Sequence, residues 1–317
     1  MTEASRQIQN ELGAAPIDRG ATTRGPSWRN RTGHVIGERY RLEAIIDSGG
    51  QGVVYRGRDL VEGDEVAVKV LKDSVAKQSD WRERLLREAH ALAALSGTAA
   101  VRVLDQRWTN DGVLCLVMEL LRGADLETVL ERVERKGVAF PVDGLELVFD
   151  PVVSTLERAH VQGILHRDIK PANIYVVDGR EGPEIKLLDF GFAKFVRMKS
   201  FTQAGFIAGS PSYIAPEMWA GASELDARID VYSLAAVLFR ALAGRPPFQA
   251  PELIALCQMV MSAPRPSLRS LRPDLPAAVD SWAEQSLAAN PAERFTGVRG
   301  MFFALMQALG RARPSPR

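Results

Sequence analysis

Between Leu165 and Gly191 the chain reads LHRDIKPANIYVV, a short polar turn, and then EIKLLDFG. Asp168 is followed five residues later by Asn173, and Asp189 stands sixteen residues beyond that. Two β-like runs, Ile174 to Val177 and Ile185 to Leu188, bracket a turn that holds Gly179, Gly182 and Pro183. A hairpin of this kind returns to where it began, so Asp168, Asn173 and Asp189 can converge. Two carboxylates and an amide oxygen suit a hard cation such as Mg²⁺, which takes few protein ligands and shares its shell with phosphate and water. The chemistry that such a set supports is phosphoryl transfer. His166, beside Leu165 and Ile169, reads as a packed structural imidazole rather than a base.

The elements that must position these groups are legible around them. The chain has 317 residues, 46% hydrophobic and 25% charged, enough for one large domain or two lobes. Its formal net charge is +1, from 40 basic and 39 acidic residues, so no overall charge points to nucleic acid or a membrane surface. No uncharged apolar run reaches the roughly 18 residues a membrane span needs, and no signal-like segment opens the chain. Cys115 and Cys257 lie far apart and belong to no metal-type cluster, which fits two reduced thiols in a cytoplasmic protein.

Residues 1–36 are polar and aperiodic and read as a flexible leader. From Tyr40 the pattern is β-like: Arg41 to Ile46, then a Gly-containing turn, then Val53 to Tyr55. Glu65–Leu71 is a further strand with Ala67 and Lys69 on one face. A helix follows, capped by Ser79 or by Asp80, from which Glu83 would complete a capping box, with Leu85, Ala89 and Leu92 at helical spacing. Strands over Val101 to Trp108 and Val113 to Leu120 complete a small β-rich lobe with one helix. Beyond a link near Glu119 to Gly123 the composition turns helical. Asp143 and Glu146 give a second capping-box spacing, and Gly163 ends the helix that they open. The run Asp230 to Ala243 is apolar nearly all round and predicts a buried central helix stopped by Gly244. Further helices are expected over 251–263, 277–289 and 297–309, before a short tail at 310–317.

Taken in order, these motifs resemble the protein kinase family, and within it the bacterial Hanks-type serine/threonine kinases, over about residues 40–305. The resemblance implies an α+β, two-lobed protein kinase fold. A kinase domain would span 37–309, with a β-rich N-lobe over about 37–120 and a mainly helical C-lobe over about 121–309. It further implies that Ile46-Asp47-Ser48-Gly49-Gly50-Gln51-Gly52-Val53-Val54 is the Gly-rich loop over ATP, its backbone approaching the phosphates. Gly49 and Gly52 match the family pattern, whereas Asp47 stands where the first Gly belongs. An added Cβ and a negative charge there are expected to weaken ATP binding without abolishing it.

Lys69, in Val-Ala-Val-Lys with Ala67, matches the lysine held on the α- and β-phosphates by a helix glutamate, here Glu88. The alternative for Glu88 is a local pair with Arg84. Met118, Glu119 and Leu121 resemble the hinge that meets adenine, with Met118 as gatekeeper. Asp125 resembles the acidic residue that contacts ribose, and equally suits a helix N-cap. By the same resemblance Asp168 orients the acceptor hydroxyl and takes its proton, Lys170 meets the γ-phosphate, and Asn173 and Asp189 hold Mg²⁺, for which Mn²⁺ can substitute. Glu217 would pair with Arg294 to tie down the activation segment, and Asp230 would anchor the catalytic loop. Arg167 would meet a phosphate on that segment, with Thr202 and Ser200 as the hydroxyls in reach.

The expectation is therefore an ATP-dependent serine/threonine protein kinase acting on protein substrates, with autophosphorylation through a transient homodimer. A pseudokinase scaffold or nucleotide-sensing module is the alternative, and Asp47 is its support. A small-molecule kinase fits less well, because Lys170 and the complete Ala215-Pro216-Glu217 segment belong to peptide-phosphorylating members.

Overall fold

Strict alternation in Val66, Ala67, Val68, Lys69 and Val70 predicts a strand with two different faces, and the structure shows both. The structure, a computed structural model, describes residues 30–48, 52–71, 93–179, 182–190 and 211–311. Among them the chain divides into two compact units, one ending at Arg122 and the other starting at Gly123, two residues past the expected N-lobe limit.

The first unit is an antiparallel sheet of strands β1 (Val35–Ile36), β2 (Tyr40–Ser48), β3 (Gly52–Asp59), β4 (Glu65–Leu71), β5 (Val103–Trp108) and β6 (Leu114–Glu119), in the order β1-β2-β3-β4-β6-β5. Its registers place Val54 opposite Lys69 and Lys69 opposite Leu116, with Ala67 opposite Met118 one step along. Opposed residues share a face in a pleated sheet, so Val54, Ala67, Lys69 and Met118 stand on one side. The other side carries Val53, Tyr55, Val66, Val68, Cys115 and Val117, all buried in one apolar cluster with Ile36, Tyr40 and Leu42. The helix expected after this strand, including Glu88, lies outside the described residues.

Two expectations about the leader and its neighbours are corrected here. Residues 30–36 are not a free tail: β1 pairs Ile36 with Tyr40, and Ile36 is buried in the cluster. Arg31 donates its backbone N–H to the Tyr55 hydroxyl at 3.1 Å and grips both oxygens of Asp111 at 2.9 and 2.6 Å. The sequence signal was weak because a two-residue strand has no period to read. The strands over 101–108 and 113–120 are also shorter than expected, at Val103–Trp108 and Leu114–Glu119.

The second unit opens with β7 (Gly123–Asp125) and α1 (Leu126–Arg135), then α2 (Leu145–Val161), a 3₁₀ turn (Pro171–Asn173) and the hairpin β8 (Ile174–Gly179) and β9 (Gly182–Leu187). β7, β8 and β9 form a three-stranded sheet in that order. A 3₁₀ turn (Pro211–Tyr213) leads to α3 (Pro216–Trp219), α4 (Arg228–Ala243), α5 (Leu253–Ser262), α6 (Leu268–Leu271), α7 (Ala278–Ser286) and α8 (Val298–Ala308). α4 is the buried central helix: residues 229–242 are all buried, and Gly244 closes it at φ 73°, a left-handed conformation that suits glycine. α6 had no sequence signal, being a single turn.

The second capping box fails. Asp143 lies in a 3₁₀ turn, Val142–Gly144, and α2 starts from Gly144 with no side-chain cap. Asp143 instead pairs with Arg311 at 2.5 Å, which also draws the start of the supposed tail onto the fold.

Candidate active site

Each unit carries part of the expected site. In the first, Lys69 is buried on the sheet face that also holds Val54, Ala67 and Met118. Ile46 is skipped by an irregularity in the β2–β3 register between Ile45 and Asp47, and Asp47 pairs with Val54. Asp47 therefore shares the face of Lys69, with β3 between them; two strand spacings make about 10 Å. Asp47 is exposed, and its Oδ1 accepts the Ser48 backbone N–H at 2.8 Å. Ser48 and Gly52–Val53 flank the turn, while Gly49, Gly50 and Gln51 lie outside the described residues. Glu119 ends β6; its backbone N–H donates to Arg102 at 3.0 Å and its Oε1 accepts from the Arg102 N–H at 2.8 Å. Leu121, two residues on, is partly exposed.

A carboxylate on the lysine's face would repel the phosphate of a nucleotide bound there, and its bond to the Ser48 N–H occupies one backbone donor of the loop. Asp47→Gly is expected to lower the KM for ATP several-fold, about 1 kcal/mol of ground-state binding, with little change in kcat. Steady-state kinetics against ATP check this, and an unchanged KM would mean that the carboxylate does not meet the nucleotide.

In the second unit the catalytic-loop residues come together by short bonds. Pro171 at the start of the 3₁₀ turn brings Asn173 back under Asp168. Asn173 Nδ2 donates to the Asp168 carbonyl at 2.7 Å and to its Oδ2 at 3.1 Å. Lys170 Nζ reaches the same Oδ2 at 3.0 Å. The hairpin closes as expected, with the Leu188 N–H donating to the Asn173 carbonyl at 2.8 Å, which sets Asp189 beside the turn. Asp189 holds φ 51° and Arg167 φ 64°, both in the left-handed region that non-glycine residues avoid.

His166 is fully buried and bonded on both nitrogens. Nδ1 accepts the Asp168 N–H at 3.2 Å, so Nε2 carries the proton and donates to the Leu188 carbonyl at 2.9 Å. Burial pushes its pKa below the ordinary value, and it serves as a neutral strut between the two acidic residues of the site.

Asp230, wholly buried near the start of α4, holds the loop from below. Its Oδ2 accepts the His166 N–H at 2.8 Å and its Oδ1 the Arg167 N–H at 2.9 Å. His160 Nε2 lies 2.8 Å from Oδ2. Burial alone would raise this carboxyl's pKa, but the bonds from His160 and the His166 backbone outweigh it and hold the pKa below the ordinary range. No local spacing in the sequence marks His160, because its partner lies 70 residues away.

Glu217 and Arg294 form a two-pronged pair at 2.8 and 2.7 Å, with Arg294 buried and its Nε donating to the Ala288 carbonyl at 2.7 Å. Asp125 is the N-cap of α1, accepting the Thr128 N–H at 2.7 Å. Ser200 and Thr202 lie outside the described residues.

A divalent cation would find a fitting donor pair in Asn173 and Asp189. Asn173 spends its Nδ2 on Asp168, which leaves the amide oxygen as the group for a metal, and an amide oxygen with a carboxylate suits Mg²⁺. Among the described residues, no group of three or more His, Cys, Asp or Glu forms a metal cluster of its own, and no helix is long and apolar enough to cross a membrane.

A small antiparallel sheet unit, a helical unit and a loop of Asp, Lys and Asn backed by a buried Asp define the protein kinase class. Comparison with known proteins agrees: the family model "Protein kinase domain" matches residues 40–308. The chain is 33% identical over 299 residues to the serine/threonine-protein kinase pkn3 of Myxococcus xanthus, covering 92% of this chain and 53% of that protein. It is 36% identical over 291 residues to the serine/threonine-protein kinase PknA of Mycobacterium tuberculosis, covering 90% and 65%. A crystal structure of the Mycobacterium tuberculosis PknI kinase domain aligns at a TM-score of 0.68 with 28% identity, over 88% of this chain and 100% of that one. The chain belongs to the protein kinase domain family, among the bacterial Hanks-type serine/threonine kinases. It spans only 53% and 65% of these two curated relatives.

Proposed function

We propose that the protein transfers the γ-phosphoryl group of Mg-ATP to serine or threonine hydroxyls of protein substrates in the cytoplasm. The observation that carries this reading is the Asp168 carboxylate, fixed through Oδ2 by Lys170 and Asn173. A carboxylate held in this way can accept the hydroxyl proton of an acceptor as its oxygen attacks phosphorus. Lys170, beside it, would meet the charge on the transferring group. Asn173 and Asp189 would hold Mg²⁺, which when bound neutralises the phosphate oxygens. Lys69, paired with Glu88, would fix the α- and β-phosphates, and Met118, Glu119, Leu121 and Asp125 would seat adenosine.

Radiolabelled ATP with myelin basic protein as acceptor tests this, with Asp168→Asn as the blank. Wild-type labelling no higher than the blank would sink it. A pseudokinase scaffold is the second reading, favoured by Asp47 on the face of Lys69.

We also propose activation by autophosphorylation in a transient homodimer, with Thr202 preferred over Ser200. What supports it is Arg167, whose backbone Asp230 pins at the entrance to the catalytic loop. A Ser200→Ala, Thr202→Ala double variant is expected to lose at least about tenfold in activity, since a phosphate can create up to three charge-assisted bonds. Full activity in that variant, measured on the same acceptor, would remove the proposal.

A further inference from the structure

The sheet of the first unit carries a cavity on the face away from Lys69. Val66 stands opposite Glu119, Tyr40 opposite Asp59 and Val117 opposite Asp105. These three carboxylates therefore share the side of the apolar cluster that holds Tyr40, Val66 and Val117. They border a cavity of about 550 Å³, inside the range of roughly 300–1,000 Å³ for ligand-binding clefts. Tyr40, Val66 and Leu104 supply apolar lining, and Leu104 is 42% exposed.

Six carboxylates line this cavity against three guanidiniums, those of Arg39, Arg102 and Arg122, a surplus of three negative charges. Two of the arginines are already engaged. Arg39 grips Asp59 through bonds of 2.6 to 2.9 Å, and Arg122 pairs with Glu65. Asp105 takes the Tyr40 hydroxyl at 2.8 Å and is reached by Arg107, which lies outside the lining. Glu62 lies 3.6 Å from Arg39, and Asp64 and Glu119 add to the excess. Apolar walls under a rim of carboxylates suit a side chain with an alkyl stem and a cationic head, and arginine adds a fork that fits a carboxylate.

The chain itself supplies such side chains within reach. Residues 15–29, which lie outside the described residues, read APIDRGATTRGPSWR, with Arg19, Arg24 and Arg29 against Asp18 alone. They join the fold at Asn30, next to Arg31, which Tyr55 and Asp111 hold. Asp111 lies in the β5–β6 turn and Glu119 at the far end of β6, so anchor and cavity stand about one strand apart, roughly 17 Å. Arg24 and Arg19 come six and eleven residues before Asn30, an extended reach of about 20 and 36 Å. Arg29 adjoins the anchor and falls short. We propose that Arg19 and Arg24 of the leader seat in this cavity, folding the leader back along the sheet. Glu119, Leu120 and Arg122 are part of the lining, so the seated leader braces the end of β6 from the side opposite Lys69.

The test is amide hydrogen exchange of the full chain, read by mass spectrometry over residues 15–29. In dilute buffer these amides are expected to exchange about fivefold more slowly than in an Arg19→Glu, Arg24→Glu variant, the size of two partly screened ion pairs. About 0.5 M salt should erase the difference. A Glu62→Arg, Asp64→Arg variant changes the cavity instead of the leader. Both side chains are exposed, so the fold is left in place, and the leader should again exchange about fivefold faster. Combining all four changes reverses both partners and should restore the slow exchange.

Exchange of residues 15–29 at the rate of a free chain in the wild type would overturn the proposal. So would protection that the Glu62→Arg, Asp64→Arg variant leaves unmoved, or a fourfold variant that stays unprotected. Protection that fades on tenfold dilution would assign the cavity to a second copy of the chain and overturn it as well. None of these readings depends on phosphoryl transfer, so the proposal stands or falls apart from the kinase reading.

Discussion

Asp168→Asn is expected to lose about a thousandfold in kcat while binding ATP within about threefold of wild type, in the middle of the range for removal of a general base. Asn fills the same volume and can still accept one hydrogen bond, so the loop need not collapse. What changes is the ability to take a proton, and the charge that Lys170 and Asn173 converge upon at 3.0 and 3.1 Å. With an amide, the Nδ2 of Asn173 faces either an oxygen or a second NH₂, and Lys170 loses its counter-charge. Phosphate incorporation into an acceptor reads kcat, and calorimetric titration with ATP reads binding. Retention of more than a tenth of wild-type turnover would show that Asp168 is not the proton acceptor.

Asp230→Asn should be nearly as damaging, by a different route. The carboxylate accepts the backbone N–H groups of His166 and Arg167 and contacts His160, and it is fully buried. An amide offers one acceptor oxygen and points an NH₂ at a backbone donor, so at least one charge-assisted bond is lost, about 1.5–3 kcal/mol. The residue freed is Arg167, held at φ 64°, and it adjoins Asp168. Relaxation of that backbone would move the catalytic carboxylate, and a displacement of about 1 Å is enough for a hundredfold loss in kcat. The variant should melt lower and turn over about a hundredfold more slowly, with a smaller change in the ATP KM. The same pair gives a pH signature. Because the folded Asp230 pKa lies below its ordinary value, its contribution is complete above the unfolded carboxyl pKa of about 3.9 and fades as pH falls through the lower folded value. The stability gap between wild type and Asp230→Asn should be full at pH 7 and narrow only below about pH 4. A gap that closes between pH 5 and 7 would point to a different group.

What was legible in the sequence is what short-range spacing encodes. Asp168, Asn173 and Asp189 are linked in the sequence because a hairpin is a local object, and Lys69 falls on one face because strand side chains alternate. The buried helix was legible because Asp230 to Ala243 has no polar stripe. Asp143 failed for the complementary reason. Its spacing to Glu146 satisfies a local rule, but Arg311 competes for the same carboxylate from the far end of the unit. The partners of Arg240, Glu134 and Glu127 at 106 and 113 residues away, are invisible on the same ground. The sequence leaves Asp125 between two roles because a carboxylate before a helix is chemically suited to both. Its cap on Thr128 is a property of the chain itself, and any contact with a sugar belongs to a complex.

The short strand β1 bears on where this domain can be cut. Similarity to the family begins at Tyr40, whereas the physical edge of the sheet lies several residues earlier. Gly33 donates its N–H to the Leu42 carbonyl at 2.7 Å, and Leu42 returns a bond to His34 at 2.9 Å. A fragment begun at the family boundary would strip backbone partners from Tyr40–Leu42 and leave the space filled by Ile36 open to water. Open strand edges beside exposed apolar surface are where chains adhere to one another. The few residues ahead of the recognisable domain therefore act as a selvedge, keeping the sheet from fraying into its neighbours.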